Sequence, residues 1–338
     1  MDPKHKKLII ITSLSIVVSV GILIPVLVIL VKSSFNTSEL GQIHTGGMAF
    51  DVELEGNIAY VVDTVDGNPG GLVIINVSDP TNPSILGSYY QSGLPYVVDV
   101  VGDIAFLANI FVGLEVIDIS DPTNPVKIDQ YTGSGEIFDV QVVGEIAYLA
   151  DWSRGLVLLN VSVPSDVKEI SRYDPSVACP HVHVENGIAY IINHYSSYSG
   201  IMLINVSNPY NPYQVGYYAP SGIDFWNPFV HENIIYAANH GSNGGEVYIL
   251  DANNPSEISQ LGVFNEMSNI FAAFTNSRVV YFADYQNGLI IVDLADMSNP
   301  RVIGRYFDGG QANDVIVVED IAYVADREDG LEIIQILS

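Results

Sequence analysis

The chain has 338 residues, of which 48% are hydrophobic, and 39 acidic residues against 12 basic ones give it a net charge of −27. Such an excess of negative charge repels nucleic acid and anionic lipid, so we exclude a nucleic-acid-binding role. The single cysteine, Cys179, excludes a disulfide framework and a cysteine-based zinc site.

An apolar segment between lysines comes first. Residues 8–31 carry no charge, Lys4, Lys6 and Lys7 precede them, and Lys32 follows. The segment is long enough to span a bilayer as a helix, and no small-residue cleavage site follows it. The lysines in front indicate a cytoplasmic N-terminus. We therefore predict a cytoplasmic tip at 1–7, a single transmembrane helix at 8–31 in the cell membrane and a linker at 32–38; a cleaved signal peptide is the alternative.

The rest of the chain repeats one phrase. The stretch GLEVIDISDPTNP at 113–125 has relatives at 70–83, 155–166, 200–212, 245–257, 288–300 and 330–338. The glycines that open these copies lie 42 to 45 residues apart, and an element of the type IAYVVD precedes each copy. The chain therefore contains one unit written seven times.

This period, without a helix-spaced apolar pattern, predicts an all-β fold, a seven-bladed β-propeller in which each repeat is a four-stranded blade. From the channel outward, strand a is of the type FDVEL, strand b IAYVVD, strand c LVIINV and strand d ILGSYY. Glycine next to Asn, Asp or Glu marks the a–b turn, and Asp-Pro or Asn-Pro marks the c–d turn. The predicted propeller covers residues 39–338, outside the cell.

The last copy ends after strand c, and the missing strand d is found at the other end of the propeller. The stretch ELGQIHTGG (39–47) matches VIGRYFDGG (302–310). We therefore predict that an N-terminal strand completes the last blade, which closes the ring and removes two exposed sheet edges. The linker would then enter at the bottom of the disc, so that the top points away from the membrane.

The phrases LVIIN, LEVID and LIIVD, in phase with the Asp-Pro-x-Asn-Pro turn, resemble those of the LVIVD-repeat proteins. The resemblance covers residues 39–338. It implies a propeller that is secreted or exposed on the surface of bacteria or archaea, and no assigned activity, because a fold alone does not carry a function.

Two sets of polar residues belong to the predicted top face, which is formed by the d–a and b–c loops. The residues that end strand b are Asp63, Asn109, Asp151, Asn193, Asn239, Asp284 and Asp326, and we expect them to bind loop backbone. The residues that begin strand a are Asp51, Val97, Asp139, His181, Asn227, Ala272 and Asp314. Of these, Asp51, Asp139, His181, Asn227 and Asp314 are candidate ligand-binding residues; the alternatives are a calcium site and a water-filled polar channel.

Histidines concentrate in the fourth and fifth repeats. His194 and His240 occupy the same position in neighbouring blades, and His181 begins a strand a nearby. His181, His194 and His240 are therefore candidate ligands of a transition metal. The alternatives are a pH-sensitive binding patch, to which His194 and His240 would also belong, and ordinary surface. The sequence alone does not establish that the protein binds calcium, a transition metal or another cofactor.

Four sequons fit an extracellular chain, at Asn36, Asn76, Asn160 and Asn205. Three of them are by-products of the repeated phrase NVS.

Standard catalytic motifs are absent from the sequence: there is no G-x-S-x-G, no H-E-x-x-H and no P-loop. We therefore expect a membrane-anchored extracellular propeller that acts as a binding scaffold for a protein, glycan or surface-layer partner. The alternative is a metal-dependent hydrolase or lyase with its site at the top mouth of the channel.

Overall fold

The computed structural model describes residues 10–17, 23–30, 35–64, 70–91, 93–133, 136–195, 198–240, 245–275 and 278–337. The basic tip at residues 1–7 and Lys32 lie outside these ranges. In the apolar segment, β1 (Ile10–Val17) and β2 (Leu23–Leu30) pair as an antiparallel hairpin.

The predicted helix at 8–31 is therefore not supported, since the described residues of this segment form strands. The segment is rich in isoleucine and valine, whose branched β-carbons favour strands. A continuous apolar run has no periodicity that separates a strand from a helix. In the described part of the chain, no helix has the length and apolar character needed to cross a membrane.

The remaining strands form seven four-stranded antiparallel blades. β3 (Asn36–Ile43) comes first in the chain and belongs to the seventh blade. The first blade consists of β4 (Met48–Glu55), β5 (Ile58–Thr64), β6 (Gly71–Asn76) and β7 (Ser84–Tyr90). The second consists of β8 (Pro95–Val101), β9 (Ile104–Asn109), β10 (Gly113–Asp118) and β11 (Val126–Tyr131). The third consists of β12 (Ile137–Val143), β13 (Ile146–Asp151), β14 (Gly155–Asn160) and β15 (Lys168–Tyr173).

The other four blades follow the same order. The fourth consists of β16 (Val182–Glu185), β17 (Ile188–Tyr195), β18 (Tyr198–Asn205) and β19 (Tyr213–Tyr218). The fifth consists of β20 (Phe225–His231), β21 (Ile234–Asn239), β22 (Glu246–Asp251) and β23 (Ser259–Phe264). The sixth consists of β24 (Ile270–Thr275), β25 (Val279–Asp284), β26 (Gly288–Asp293) and β27 (Arg301–Tyr306). The seventh consists of β28 (Ala312–Val318), β29 (Ile321–Asp326), β30 (Gly330–Leu337) and β3.

The predicted closure of the ring is confirmed. β3 runs antiparallel to β30, from Asn36 opposite Leu337 at the bottom to Ile43 opposite Leu331 at the top. The strand begins three residues earlier than the predicted start at residue 39. The chain before Asn36 therefore enters the propeller at its bottom edge.

The core consists of seven apolar clusters, each between two neighbouring blades. Successive residues of a strand point to opposite faces, so one strand supplies two clusters. In β5, Tyr60 and Val62 pack against the second blade, whereas Ala59 and Val61 pack against the seventh. Strands b and c are buried on both faces for this reason, and their sequences read as continuous apolar runs.

The glycine that opens strand c is required by close packing of the backbone. A β-carbon on Gly71 would lie 1.8 Å from the carbonyl oxygen of Tyr89 in the neighbouring strand d. Gly113 has the same position in the second blade, with a φ of +102° that side chains rarely adopt. The repeated glycine of the sequence is therefore structural.

Candidate functional site

The central channel is lined by the seven a strands and has a volume of about 410 Å³. The residues predicted to begin strand a all lie on its wall: Asp51, Val97, Asp139, His181, Asn227, Ala272 and Asp314. Two acidic residues that the sequence analysis missed, Glu53 and Asp99, lie on the wall too. Both occupy the position two residues further along strand a, and strand alternation could have found them.

The channel carboxylates connect neighbouring blades. Strand a has no strand partner on its inner edge, so its backbone N–H groups need other acceptors. In four blade pairs the acceptor is an aspartate of the preceding blade. The bonds run from Val52 N–H to Asp314 (3.0 Å), from Val98 N–H to Asp51 (2.7 Å), from Val142 N–H to Asp99 (2.5 Å) and from Val182 N–H to Asp139 (3.0 Å). These carboxylates therefore have a structural role in addition to facing the channel.

Amides make the reverse contact at the junction of the fifth and sixth blades and, beside the Val52–Asp314 bond, at the junction of the seventh and first. The Asn227 side chain donates to the carbonyl oxygen of Phe271 at 2.7 Å. The Asn313 side chain donates to the carbonyl oxygen of Phe50 at 2.6 Å. The ring of a strands is thus held together by side chains where sheet pairing cannot reach.

Burial raises the pKa of four carboxyl groups on the channel wall. It raises the pKa of Glu53 to about 8, helped by the negative charges of Asp99 and Asp314. It raises the pKa of Asp99 to about 6. Burial also raises the pKa of Asp51 and of Asp314, and the charge of Asp314 adds to the rise at Asp51. The same effect lowers the pKa of His183, on the opposite wall, to about 4.

The three histidines predicted as metal ligands come together around a residue that the sequence analysis did not single out, Trp226. Ring centroids lie 5.2 Å from Trp226 for His181, 5.9 Å for His194 and 5.8 Å for His240. The imidazole of His240 stacks on the indole, and the other two meet it edge-on. The sequence predicts this proximity, because the three histidines lie on the same face of two adjacent blades.

The polar neighbours of these imidazoles are spread over different elements. His181 Nδ1 lies 3.7 Å from an oxygen of Asp139, and His194 Nδ1 lies 3.6 Å from one of Asp224. His240 Nε2 lies 2.8 Å from the carbonyl oxygen of Ile270, and burial lowers the pKa of this imidazole.

Among the residues described, one group of potential metal ligands has its ligand atoms within 4.8 Å of one another, and its members are Asp308, Asp326 and Glu332. None of the predicted ligands is in this set. A metal at His181, His194 and His240, or at the channel aspartates, stays a prediction.

Trp226 is part of a continuous ring of aromatic side chains at the top mouth, which we name the aromatic collar. Consecutive ring centroids lie 4.9 to 6.0 Å apart, and each ring is partly exposed to solvent. In order, the members are Phe50, Tyr96, Phe138, Trp152, His194, Trp226, His240, Phe271 and Tyr285. These distances are typical of attractive aromatic pairs.

Arg327 closes the collar between its two ends. Its guanidinium carbon lies 4.6 Å from the ring centroid of Phe50, 4.8 Å from that of Tyr285 and 5.8 Å from that of Phe271. The side chain also donates to Asn313 at 3.3 Å. The collar thus already accommodates one cation on the faces of its rings, which are electron-rich.

The collar members come from two positions in the repeat. Phe50, Tyr96, Phe138, Trp226 and Phe271 directly precede the predicted channel residues of strand a. The others directly follow the polar residue that ends strand b. An aromatic residue before the channel position in five repeats was the sequence signal for this site.

Among the described contacts, six of the seven polar residues predicted to end strand b accept hydrogen bonds from loop backbone, as predicted. Their side chains accept hydrogen bonds from N–H groups of the preceding d–a loop in five blades, at Asp63, Asn109, Asn239, Asp284 and Asp326. Asp151 accepts instead from its own b–c loop. This ring is therefore structural.

Three sequon asparagines end strand c and fold the following turn. Asn76, Asn160 and Asn205 each accept a hydrogen bond from the N–H of the serine two residues on, at 2.9 to 3.2 Å. Asn36, at the start of β3, is exposed. Glycosylation at these residues stays a prediction.

A family model for the LVIVD repeat matches residues 46–91, 96–133, 134–175, 279–308 and 309–338, more than half of the chain. The chain belongs to the LVIVD-repeat family. The matches leave out the fourth and fifth blades, which carry the histidines around Trp226. A search of curated proteins finds no match to this LVIVD-repeat chain.

Solved structures similar to this LVIVD-repeat chain share its fold. The Saccharomyces cerevisiae protein Sqt1 has a TM-score of 0.63 at 9% identity, with 90% of this chain and 99% of that chain covered. The computationally designed protein Ika8 has a TM-score of 0.60 at 10% identity, with 88% and 99% covered. A chain from a S. cerevisiae complex of Dbp5 with Nup159, Gle1, IP6 and ADP has a TM-score of 0.60 at 11% identity, with 90% and 96% covered. At these identities the similarity establishes the fold alone.

Proposed function

We propose that this protein is a membrane-anchored extracellular scaffold that binds a partner protein through a basic side chain held in the aromatic collar. The observation that carries the proposal is the combination of a closed aromatic collar with acidic residues on the channel wall beneath it. Aromatic faces attract ammonium and guanidinium groups, and the attraction grows as water is removed. The carboxyl groups below the rings, whose pKa burial raises, would ionise more readily beside such a cation and add to the attraction.

Arg327 supports a cationic ligand in particular. Its contacts with Phe50 and Tyr285 use one side of the collar. On the other side, Tyr96, Phe138 and Trp152 have no such contact among the residues described. A channel volume of about 410 Å³ has room for one arginine or lysine side chain.

The membrane attachment and the orientation belong to the same proposal. The uncharged residues 8–31 between lysines would attach the chain to the cell membrane, with the N-terminus cytoplasmic. Because β3 starts at the bottom edge, the collar would face away from the bilayer, toward partners. We propose no catalytic activity, since no described contact of the histidines favours the hydrolase or lyase alternative.

Tryptophan fluorescence tests the collar directly, because both tryptophans of the chain, Trp152 and Trp226, belong to it. The peptide Gly-Gly-Arg-Gly-Gly should change the emission in a saturable way. The same peptide with neutral citrulline in place of arginine should bind at least about tenfold more weakly. Equal responses to both peptides would contradict the proposal, and a saturable response to neutral oligosaccharides alone would favour a glycan partner.

A matched pair of variants locates the binding. Tyr96→Leu removes a collar ring, whereas Tyr210→Leu removes a tyrosine that is 74% exposed in a c–d turn on the opposite face. The first substitution should weaken binding of the arginine peptide, and the second should leave it unchanged.

A further inference from the structure

Three carboxylates meet at the top of the junction between the sixth and seventh blades. Asp308 follows β27, Asp326 ends β29, and Glu332 lies in β30. One oxygen of each lies within 4.8 Å of the others. Asp308 is exposed, whereas Asp326 and Glu332 are each 2% exposed. The cluster is separate from the aromatic collar and from the channel wall.

Glu332 is a buried carboxyl group with one unsatisfied oxygen. Its Oε1 atom is buried and accepts no hydrogen bond from any residue that the structure describes. An uncompensated carboxylate inside a protein is costly, so such groups are paired, protonated or bound to a metal. Oε1 of Glu332 therefore requires a partner.

The second blade contains the same glutamate with its charge compensated. Glu115 occupies in β10 the place that Glu332 occupies in β30, two residues after the glycine that opens strand c. It accepts hydrogen bonds from Tyr89 at 2.8 Å and from the Asn109 amide at 3.3 Å. The Lys127 ammonium lies 3.4 Å away and neutralises it.

The seventh blade replaces both nitrogen donors by carboxylates. Asp326 ends strand b where the second blade has Asn109. Glu39 in β3 pairs with Ile334 in β30, two residues after Glu332. Lys127 in β11 pairs in the same way with Ile117 in β10, two residues after Glu115. The seventh blade thus places three carboxyl groups within 4.8 Å of one another, where the second blade holds one carboxylate beside an ammonium.

Protonation is the other way to compensate this charge. Burial, a hydrogen bond with Asp308 and the charges of Asp326 and Asp308 raise the pKa of Glu332 to about 10. Burial and the charges of Asp308 and Asp329 raise the pKa of Asp326 to about 6. A proton and a cation therefore compete for these carboxylates, and a measurement of Ca²⁺ binding distinguishes the two.

We propose that Asp308, Asp326 and Glu332 bind one Ca²⁺ ion. Three oxygens within 4.8 Å of one another lie no more than about 2.8 Å from a common centre, so small side-chain adjustments bring all three to the Ca²⁺–oxygen distance of about 2.4 Å. The all-carboxylate donor set suits a hard cation, and the exposed Asp308 gives the ion access from solvent and positions for water ligands. The ion would tie the loop between the sixth and seventh blades to the blade that closes the ring.

Equilibrium dialysis of the full-length protein against Ca²⁺, with a thermal melt in Ca²⁺ and in chelator, tests the proposal. Wild type should bind Ca²⁺ and melt at a higher temperature with it, because a ligand of the folded state stabilises that state. Glu332→Gln should weaken Ca²⁺ binding at least roughly tenfold, since it removes both a ligand and its charge. The matched variant Glu115→Gln should leave Ca²⁺ binding unchanged.

A second variant remains informative if Glu332→Gln does not fold. Glu39→Lys places an ammonium where the second blade has Lys127, so it should abolish the Ca²⁺-dependent rise in melting temperature while the protein stays folded in chelator. The proposal is overturned if wild type binds no Ca²⁺. It is equally overturned if both Glu332→Gln and Glu39→Lys bind Ca²⁺ as wild type does, which would assign the ion to other residues such as the channel aspartates. Neither result bears on binding of the arginine peptide.

Discussion

The buried channel carboxylates should make the protein less stable as the pH rises from 5 to 8. The pKa of Asp99 is about 6 and that of Glu53 about 8 in the folded protein, both above their ordinary values. The folded state therefore keeps protons that the unfolded state has released, and its stability falls with rising pH. The loss begins above the ordinary carboxyl range and continues through pH 6 for Asp99 and pH 8 for Glu53.

The magnitude for Asp99 follows from its shift. Its ordinary pKa is 3.8, so the shift is roughly 2 units, or at most about 3 kcal/mol. Because the side chain is partly accessible from the channel, we expect about 1 to 2 kcal/mol. The substitution Asp99→Asn keeps an acceptor for the Val142 N–H but cannot ionise. It should reduce the pH dependence of the free energy of unfolding by that amount.

Urea denaturation at pH 5, 6, 7 and 8 in chelator measures this effect. Asp118→Asn serves as the control, because hydrogen bonds from Ser120 hold the pKa of this turn residue below its ordinary value, so its titration lies outside the window. Burial of His183 and His240 lowers their pKa and acts in the opposite direction below about pH 6.5, so the comparison of variant and wild type is decisive. An Asp99→Asn variant with the same pH dependence as wild type would refute the reasoning.

Three further predictions concern other parts of the chain. Lys127→Met leaves the fully buried Glu115 without its ammonium and should lower the free energy of unfolding by roughly 1 to 3 kcal/mol, measured by urea denaturation. The control Lys168→Met, at an exposed ion pair, should lower it by less than about 1 kcal/mol. Gly113→Ala would bring a β-carbon 2.2 Å from a carbonyl oxygen and should lower the melting temperature. The control Gly102→Ala should lower it far less, because φ is also positive there but nothing lies within 4 Å of the added β-carbon. Equal melting temperatures of the two variants would contradict this. Val20→Arg places a charge in the uncharged segment and should release the protein from membranes in a fractionation experiment, since a charge costs about 3 kcal/mol in mid-bilayer.

The number of blades, the strand order and the closure of the ring could be predicted because every blade obeys the same constraints. Each strand b supplies two apolar clusters, and in five blades strand c opens with a glycine packed against strand d. Such constraints appear in the sequence seven times, which is why the repeat reads clearly. The strand that completes the seventh blade was recognisable for the same reason, although it lies at the other end of the propeller.

The two sites were harder to predict, because neither is a repeat of one residue type. The collar mixes phenylalanine, tyrosine, tryptophan and histidine, and Arg327 takes the place of a ring, so only the side-chain positions reveal its continuity. The acidic cluster takes its members from a loop and two strands, and the ammonium that it lacks becomes apparent only when the strand register aligns Glu39 with Lys127. The helix predicted at 8–31 is not supported, because composition alone does not choose between helix and strand.

The way in which β3 joins the seventh blade also determines how the propeller bears mechanical load. A pull on the chain before Asn36, directed away from the bottom of the disc, acts along the axis of β3 and therefore along its interface with β30. The inter-strand hydrogen bonds from Asn36 to Ile43 are then loaded in shear, all together, and not opened one after another. A protein held at this end under flow would resist extension through the same strand that closes its ring.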